Sequence, residues 1–150
     1  MTKFKYEKNS EGVTITGYSG KSEIIEIPAK IDGLSVTEIG VGAFLDYKNL
    51  KEIIFPDSIK KIGDYAFCDC GNLEKVNMPN RLKEIGECAF YRCESLVEIE
   101  IPKSVEKISY NVFDSCGALD RVYIDVSKWS GEEIKKIFDE MPELEIVALN

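Results

Sequence analysis

Apolar positions recur along this chain with a period far longer than that of a helix or a strand. Ile59, Ile62, Gly63, Ala66, Phe67, Cys70, Leu73, Val76 and Met78 are followed 23 residues on by Leu82, Ile85, Gly86, Ala89, Phe90, Cys93, Leu96, Ile99 and Ile101. The stretch before carries the same order as Val36, Ile39, Gly40, Ala43, Phe44, Leu50, Ile53 and Phe55. The stretch after carries it as Val105, Ile108, Ser109, Val112, Phe113, Cys116, Leu119, Val122 and Ile124. Self-similarity at a fixed interval of this size marks a solenoid, in which no unit can bury its apolar side alone. Within each unit, Leu-X-X-Ile-X-Ile alternates over its second half and is too short for more than one strand. That places Val76 and Met78 inward and Lys75 and Asn77 outward. Gly-X-X-Ala-Phe-X-X-Cys has apolar positions three and four apart, which predicts one or two helical turns on the opposite, convex side. Proline after the strand ends its hydrogen bonding and starts the turn, so successive strands stack in parallel about 4.8 Å apart.

The ends depart from the pattern, as terminal coils must where one face meets water. In residues 1–22, Phe4 and Tyr6 alternate with polar neighbours, Asn9-Ser10-Glu11-Gly12 has turn chemistry, and Val13 and Ile15 alternate again. This predicts a β-hairpin cap. Repeats occupy 23–125, with an insertion at Lys30 to Leu34 whose tip is Asp32-Gly33. Ser109 and Asp125 replace the glycine and proline of earlier units, so the array decays there. In 126–150, Ser130 and Glu133 form a capping box, and Ile134, Ile137, Phe138 and Met141 follow at helical spacing. Leu144, Val147 and Leu149 then repeat the strand motif 25 residues after Leu119, Val122 and Ile124. The prediction is a capping coil in which a helix over about 131–140 replaces the convex segment. Trp129 reads as a plug over the end of the core in preference to a ligand platform. One domain spans 1–150.

Composition narrows the chemistry. With 27 acidic and 19 basic residues and a formal charge of -8, the field repels phosphate backbones and anionic lipid, which argues against nucleic acid as a partner. The chain has no histidine, so Ser/His and Cys/His catalytic pairs are excluded. Five cysteines cannot all pair internally. Three of them, Cys70, Cys93 and Cys116, recur at the repeat interval and are expected as buried, reduced thiols. A zinc site from Cys68, Cys70, Cys88 and Cys93 is the sharper alternative, but the Cys-X-Cys and Cys-X4-Cys spacings do not resemble paired zinc knuckles. Cys68 and Cys88 lie outside the periodic column and are the thiols expected to react, if any does. No metal, cofactor or catalytic residue is predicted. Apolar runs are short and the first residues lack the apolar core of a signal peptide, so no membrane insertion is expected. The expected compartment is the cytoplasm, or the cell surface or exterior if a leader has been removed.

The motif Ile-Pro-X-X-Val/Ile-X-X-Ile-Gly-X-X-Ala-Phe-X-X-Cys-X-X-Leu-X-X-Ile-X-Ile resembles the BspA-like class of leucine-rich repeat. The stretch from Val13 to Tyr18, followed by Val36-Thr-Glu-Ile39-Gly40, is similar to that family's opening segment. The resemblance covers about Gly12 to Asp125. It implies an α/β solenoid: a right-handed leucine-rich-repeat coil with a parallel concave β-sheet. It also implies roles in binding, through adhesion or protein interaction, and it brings no catalytic residues.

On such a coil the informative residues are those the repeat does not dictate. Outward strand positions form two columns: Ile24, Glu52, Lys75, Glu98, Arg121, Ile146, and Glu26, Ile54, Asn77, Glu100, Tyr123, Ala148. A partner protein is expected to contact Glu52, Ile54, Lys75, Asn77, Glu98, Glu100, Arg121, Tyr123 and Ile146. The plainer reading is a ladder in which Glu52, Lys75, Glu98 and Arg121 pair with each other, each exposed pair contributing about 0 to 1 kcal/mol. Tyr123, Ile146 and Ala148 form an apolar corner beside Arg121, and Tyr and Arg are enriched at interface hot spots. The last strand's far edge invites strand addition by another chain. Two other readings are kept open: an enzyme using Glu98 and Glu100, and a structural segment of a larger surface protein.

Overall fold

The computed structural model describes residues 3–139 and 141–149. In chain order these form β1 (Phe4–Asn9), β2 (Gly12–Tyr18), β3 (Ile24–Glu26), β4 (Lys30–Ile31), β5 (Leu34–Ile39), β6 (Glu52–Ile54), β7 (Lys61–Ile62), β8 (Lys75–Asn77), β9 (Glu84–Ile85), β10 (Glu98–Glu100), β11 (Lys107–Ile108), β12 (Arg121–Ile124), α1 (Gly131–Ile137) and β13 (Glu145–Ala148). The coils stack as the repeat predicts. Residues one interval apart sit side by side, with Glu52 against Lys75, Ile62 against Ile85, and Ile99 against Val122.

Three faces surround one apolar interior. The strand face carries β3, β6, β8, β10, β12 and β13, all parallel to their partners. A second, lateral sheet runs β1-β2-β5-β7-β9-β11. Its rungs are only two residues long in β7, β9 and β11, and the strand motif does not announce them. The third face is built of turns. The predicted N-terminal hairpin is present, with β1 antiparallel to β2, and β2 joins the lateral sheet parallel to β5. The insertion folds as a small hairpin, β4 on β5, with Asp32 and Gly33 both at positive φ. Asp32 ties it to the terminal hairpin by accepting from the Tyr6 hydroxyl at 2.9 Å and pairing with Lys8 at 3.0 Å.

The turn face corrects the expectation of short convex helices. Between Gly40 and Leu50, and at the same place in later coils, N–H groups alternate between two kinds of acceptor. Ala43 N–H donates three residues back to Gly40, whereas Phe44 N–H donates to Ala66 of the next coil at 2.8 Å. A helix would use every N–H within its own segment. Here alternate ones bind the coils together, and left-handed residues recur at Tyr65 and Asp69, Cys88 and Arg92, Asn111 and Ser115.

The core is a set of columns. Phe44, Phe67, Phe90 and Phe113 stack with centroids 5.2, 5.2 and 5.7 Å apart and planes within 8°. Phe138, just after α1, adds a further ring at 5.4 Å, so the terminal helix supplies what a convex segment supplies elsewhere. Its capping box is formed: Ser130 Oγ accepts from Glu133 N–H at 3.1 Å, and Glu133 accepts from Ser130 N–H at 2.9 Å. Trp129 is half-buried against the core end. Cys70, Cys93 and Cys116 are buried free thiols whose S–H groups donate to the carbonyls of Phe44, Phe67 and Phe90 at 3.0–3.2 Å. A glycine column runs alongside. A Cβ on Gly63 would come within 2.9 Å of the Ile39 carbonyl oxygen, and one on Gly86 within 2.6 Å of Asp64 N. Where Ser109 replaces glycine the coils stand further apart: the bond from that position back to the preceding coil is 3.0 Å, against 2.7–2.8 Å for the three glycines.

Candidate protein-binding face

Strand alternation turns Glu52 and Ile54 of β6, Lys75 and Asn77 of β8, Glu98 and Glu100 of β10, and Arg121 and Tyr123 of β12 to the same outer face. Between them Ile53, Val76, Ile99 and Val122 are buried. Ile54, Lys75, Asn77, Glu98 and Glu100 are exposed, while Glu52, Arg121 and Tyr123 are half-buried. Eight of the nine predicted residues therefore share one surface.

Ile146 does not join them. Pairing of β12 with β13 sets Arg121 opposite Glu145, Val122 opposite Ile146, and Tyr123 opposite Val147. The last rung thus follows at 24 residues and not 25, and one residue of slip exchanges the two faces of a strand. Ile146 stands in register with the inward Val122, and with Ile134, Phe138 and Leu144 it lines a groove of about 370 Å³. It remains 38% exposed. The predicted apolar corner of Tyr123, Ile146 and Ala148 becomes Tyr123 and Val147 beside Arg121 and Glu145. Glu145 is the outer-face residue that sequence reasoning missed, and its pairing with Arg121 is the signal that exposes the correct register.

The charge ladder forms in two separate pieces. Lys75 pairs with Glu52 at 3.9 Å on one side. On the other, Arg121 Nε donates to Glu145 Oε2 at 3.1 Å and its guanidinium lies 3.8 Å from Glu98. Hydrogen bonding from the Tyr123 and Glu145 side chains pushes the Arg121 pKa up, which fixes a permanent cation at the centre of this group. Among the described residues no ion pair joins Lys75 to Glu98. The reason is in the backbone: the strand face is not one sheet but two, β3-β6-β8 and β10-β12-β13. An open cleft of about 750 Å³ on this face is lined by residues of both sheets, Asn77, Glu98 and Glu100 among them.

Other candidate chemistry is less developed. Cys68 is buried, and burial together with Asp69 pushes its thiol up to about 11. Cys88 is half-buried, and burial followed by Glu87 raises its pKa as well. Neither has the electropositive setting that activates a thiolate. Among the described residues no group of three cysteine or carboxylate side chains could hold a metal ion, and no helix is long and apolar enough to cross a membrane.

A profile of the BspA type leucine rich repeat region matches residues 18–138 in 6 copies. The chain belongs to the BspA-type leucine-rich-repeat family. Solved structures of leucine-rich-repeat proteins are similar to this chain. A Treponema pallidum leucine rich repeat protein is 28% identical, with a TM-score of 0.76, over 98% of this chain and 80% of its own. A leucine-rich repeat protein from Bacteroides capillosus is 34% identical, with a TM-score of 0.75, over 83% and 96%. A leucine rich cell surface protein from Faecalibacterium prausnitzii is 31% identical, with a TM-score of 0.79, over 99% of this chain but 41% of its own length. A search of curated proteins finds no match.

Proposed function

We propose that this BspA-type domain is a non-catalytic protein-binding module that engages its partner through the strand face of a right-handed coil. The observation that carries the reading is the convergence of Glu52, Ile54, Lys75, Asn77, Glu98, Glu100, Arg121 and Tyr123 on one surface, at positions the repeat leaves free. Arg121 and Tyr123 form its centre of recognition. A guanidinium held between two carboxylates and beside a phenol ring is an oriented donor set of the kind enriched at hot spots. The carboxylates do not favour catalysis. Glu98 keeps 58% of its side chain in solvent, and general acid chemistry needs a carboxyl withdrawn from water. The description of the Faecalibacterium neighbour as a cell surface protein supports a partner met at the cell surface. The outer edge of β13, which pairs with no strand among the described residues, is the position at which a second chain could extend the sheet.

The test is affinity capture from the native source followed by mass spectrometry, comparing wild type with Arg121→Glu/Tyr123→Ala. Arg121→Glu sets a third carboxylate between Glu98 and Glu145, so a lower melting temperature is expected, and the variant is used at a temperature where circular dichroism shows it folded. Its partner is expected to disappear from the capture. Retention of every captured protein by a folded double variant would remove Arg121 and Tyr123 as the centre of the face.

A further inference from the structure

Inward residues of the strand face are buried in each earlier rung and open at β13. Ile53, Val76, Ile99 and Val122 are 0–7% exposed, whereas Ile146, in the same register, is 38% exposed. The groove it borders has Gly131, Ile134 and Phe138 on the helix side and Met141 and Leu144 beside it on the strand side. Lys135 is the one charged residue lining it among the described residues.

This apolar end adjoins a free backbone edge. Glu145 N–H donates to Asp120 carbonyl at 2.9 Å and Leu149 N–H to Ile124 carbonyl at 3.0 Å, so Glu145, Val147 and Leu149 turn their backbone polar groups towards β12. By strand alternation Ile146 and Ala148 turn theirs to the outer edge, where β13 pairs with no strand among the described residues. Those groups need partners.

The edge is complementary to itself. Antiparallel pairing of β13 with a second β13 about Ile146 sets Ile146 against Ile146, Leu144 against Ala148, and Glu145 against Val147. The inward rows of both strands then hold only Leu144, Ile146 and Ala148. The two Ile146 residues exchange a pair of hydrogen bonds through the groups that point outward. The two Glu145 carboxylates stand apart along the strands, each within reach of its own Arg121 at 3.1 Å. A two-fold axis that reverses β13 reverses α1 as well. That helix is acidic at Glu132 in its first turn and basic at Lys135 in its last, and both side chains are exposed. Set antiparallel, Glu132 of each copy faces Lys135 of the other, giving reciprocal ion pairs across the axis.

Taking the β13 edge as the site of strand addition described above, we infer that its occupant is a second copy of this chain, joined end to end through antiparallel β13 strands. A strand from another protein would satisfy the edge alone. A second copy satisfies the edge, the apolar groove and the helix charges through one symmetry operation. The joined strand face carries two Arg121 and Tyr123 sites, so a partner with repeated binding sites is held bivalently.

The test is sedimentation velocity at physiological salt over a range of concentrations, in which a species of twice the 16.9 kDa chain is expected. Ile146→Lys brings two cations together on the axis and is expected to sediment as a monomer. Glu132→Lys and Lys135→Glu are each expected to weaken the dimer about tenfold. Combined in one chain they are expected to restore it, because the reciprocal pairs are exchanged and not lost. In the wild type the Ile146 and Ala148 amides are expected to exchange more slowly as concentration rises. A wild type that stays monomeric at every concentration, a dimer that survives Ile146→Lys, or a Glu132→Lys/Lys135→Glu chain no better than the single variants would each overturn the inference. So would Ile146 and Ala148 amides that slow only on addition of the captured partner, which would give the edge to that protein. A monomeric wild type that still captures its partner would remove the dimer and leave the binding face in place, whereas a dimer that captures nothing would do the reverse.

Discussion

Burial determines the chemistry of the three thiols that recur at the repeat interval. Desolvation pushes Cys70 and Cys116 from the ordinary thiol value of 9.0 up to about 12, and pushes Cys93 well above it. Raising an acid's pKa on folding means that the unfolded chain loses its proton first. Stability is therefore fully present below about pH 9 and falls as pH rises towards 12. The slope is at most about 1.4 kcal/mol per pH unit for each thiol. Denaturant titrations at a series of pH values from neutral to alkaline should show this decline, and Cys93→Ser, which keeps a donor for the Phe67 carbonyl, should make it shallower. An identical slope in wild type and Cys93→Ser would mean that this thiol does not titrate with unfolding. The buried role of these cysteines was legible because they repeat with the core. The left-handed backbone at Tyr65 and Cys88 was not, because neither position carries the glycine or asparagine that usually signals it.

At the scale of elements, what was legible followed from patterns with a single solution. Leu73, Val76 and Met78 alternate and could form only one strand. Ser130 with Glu133 could only open a helix. Apolar residues three and four apart fit a helical turn and a chain of tight turns equally well, and the second arises here because alternate N–H groups bond to the next coil. The final rung was ambiguous for a related reason: Ile146 and Val147 are adjacent and both apolar, so alternation gives no unique register between the 24- and 25-residue spacings. The two-residue lateral strands are too short for any periodicity. Spacing between coils is set by the glycine column, and Gly86→Ala tests it. The added methyl would meet Asp64 N at 2.6 Å and Gly63 carbonyl carbon at 2.7 Å, so the coils must separate. A loss of about 1–3 kcal/mol in unfolding free energy is expected. A loss indistinguishable from zero would show that the stack accommodates a side chain there as readily as it does Ser109.

For the molecule as a whole, a continuous row of rings from Phe44 to Phe138 and an unbroken lateral sheet support a strand face that is itself divided. The complementary charges of Lys75 and Glu98 predicted a ladder running straight across that division. The division escaped the sequence because inward Val76 and Ile99 are as apolar as their neighbours, and only the backbone bonding separates the two halves. The partner is proposed to meet the strand face. The most direct test is amide hydrogen exchange on the complex formed with the captured partner, compared residue by residue with the free chain. Protection gained across β6, β8, β10 and β12, with the turns at 64–69 and 87–92 unchanged, is the predicted result. Protection gained on those turns or on the lateral sheet, with the four strands unchanged, would contradict it.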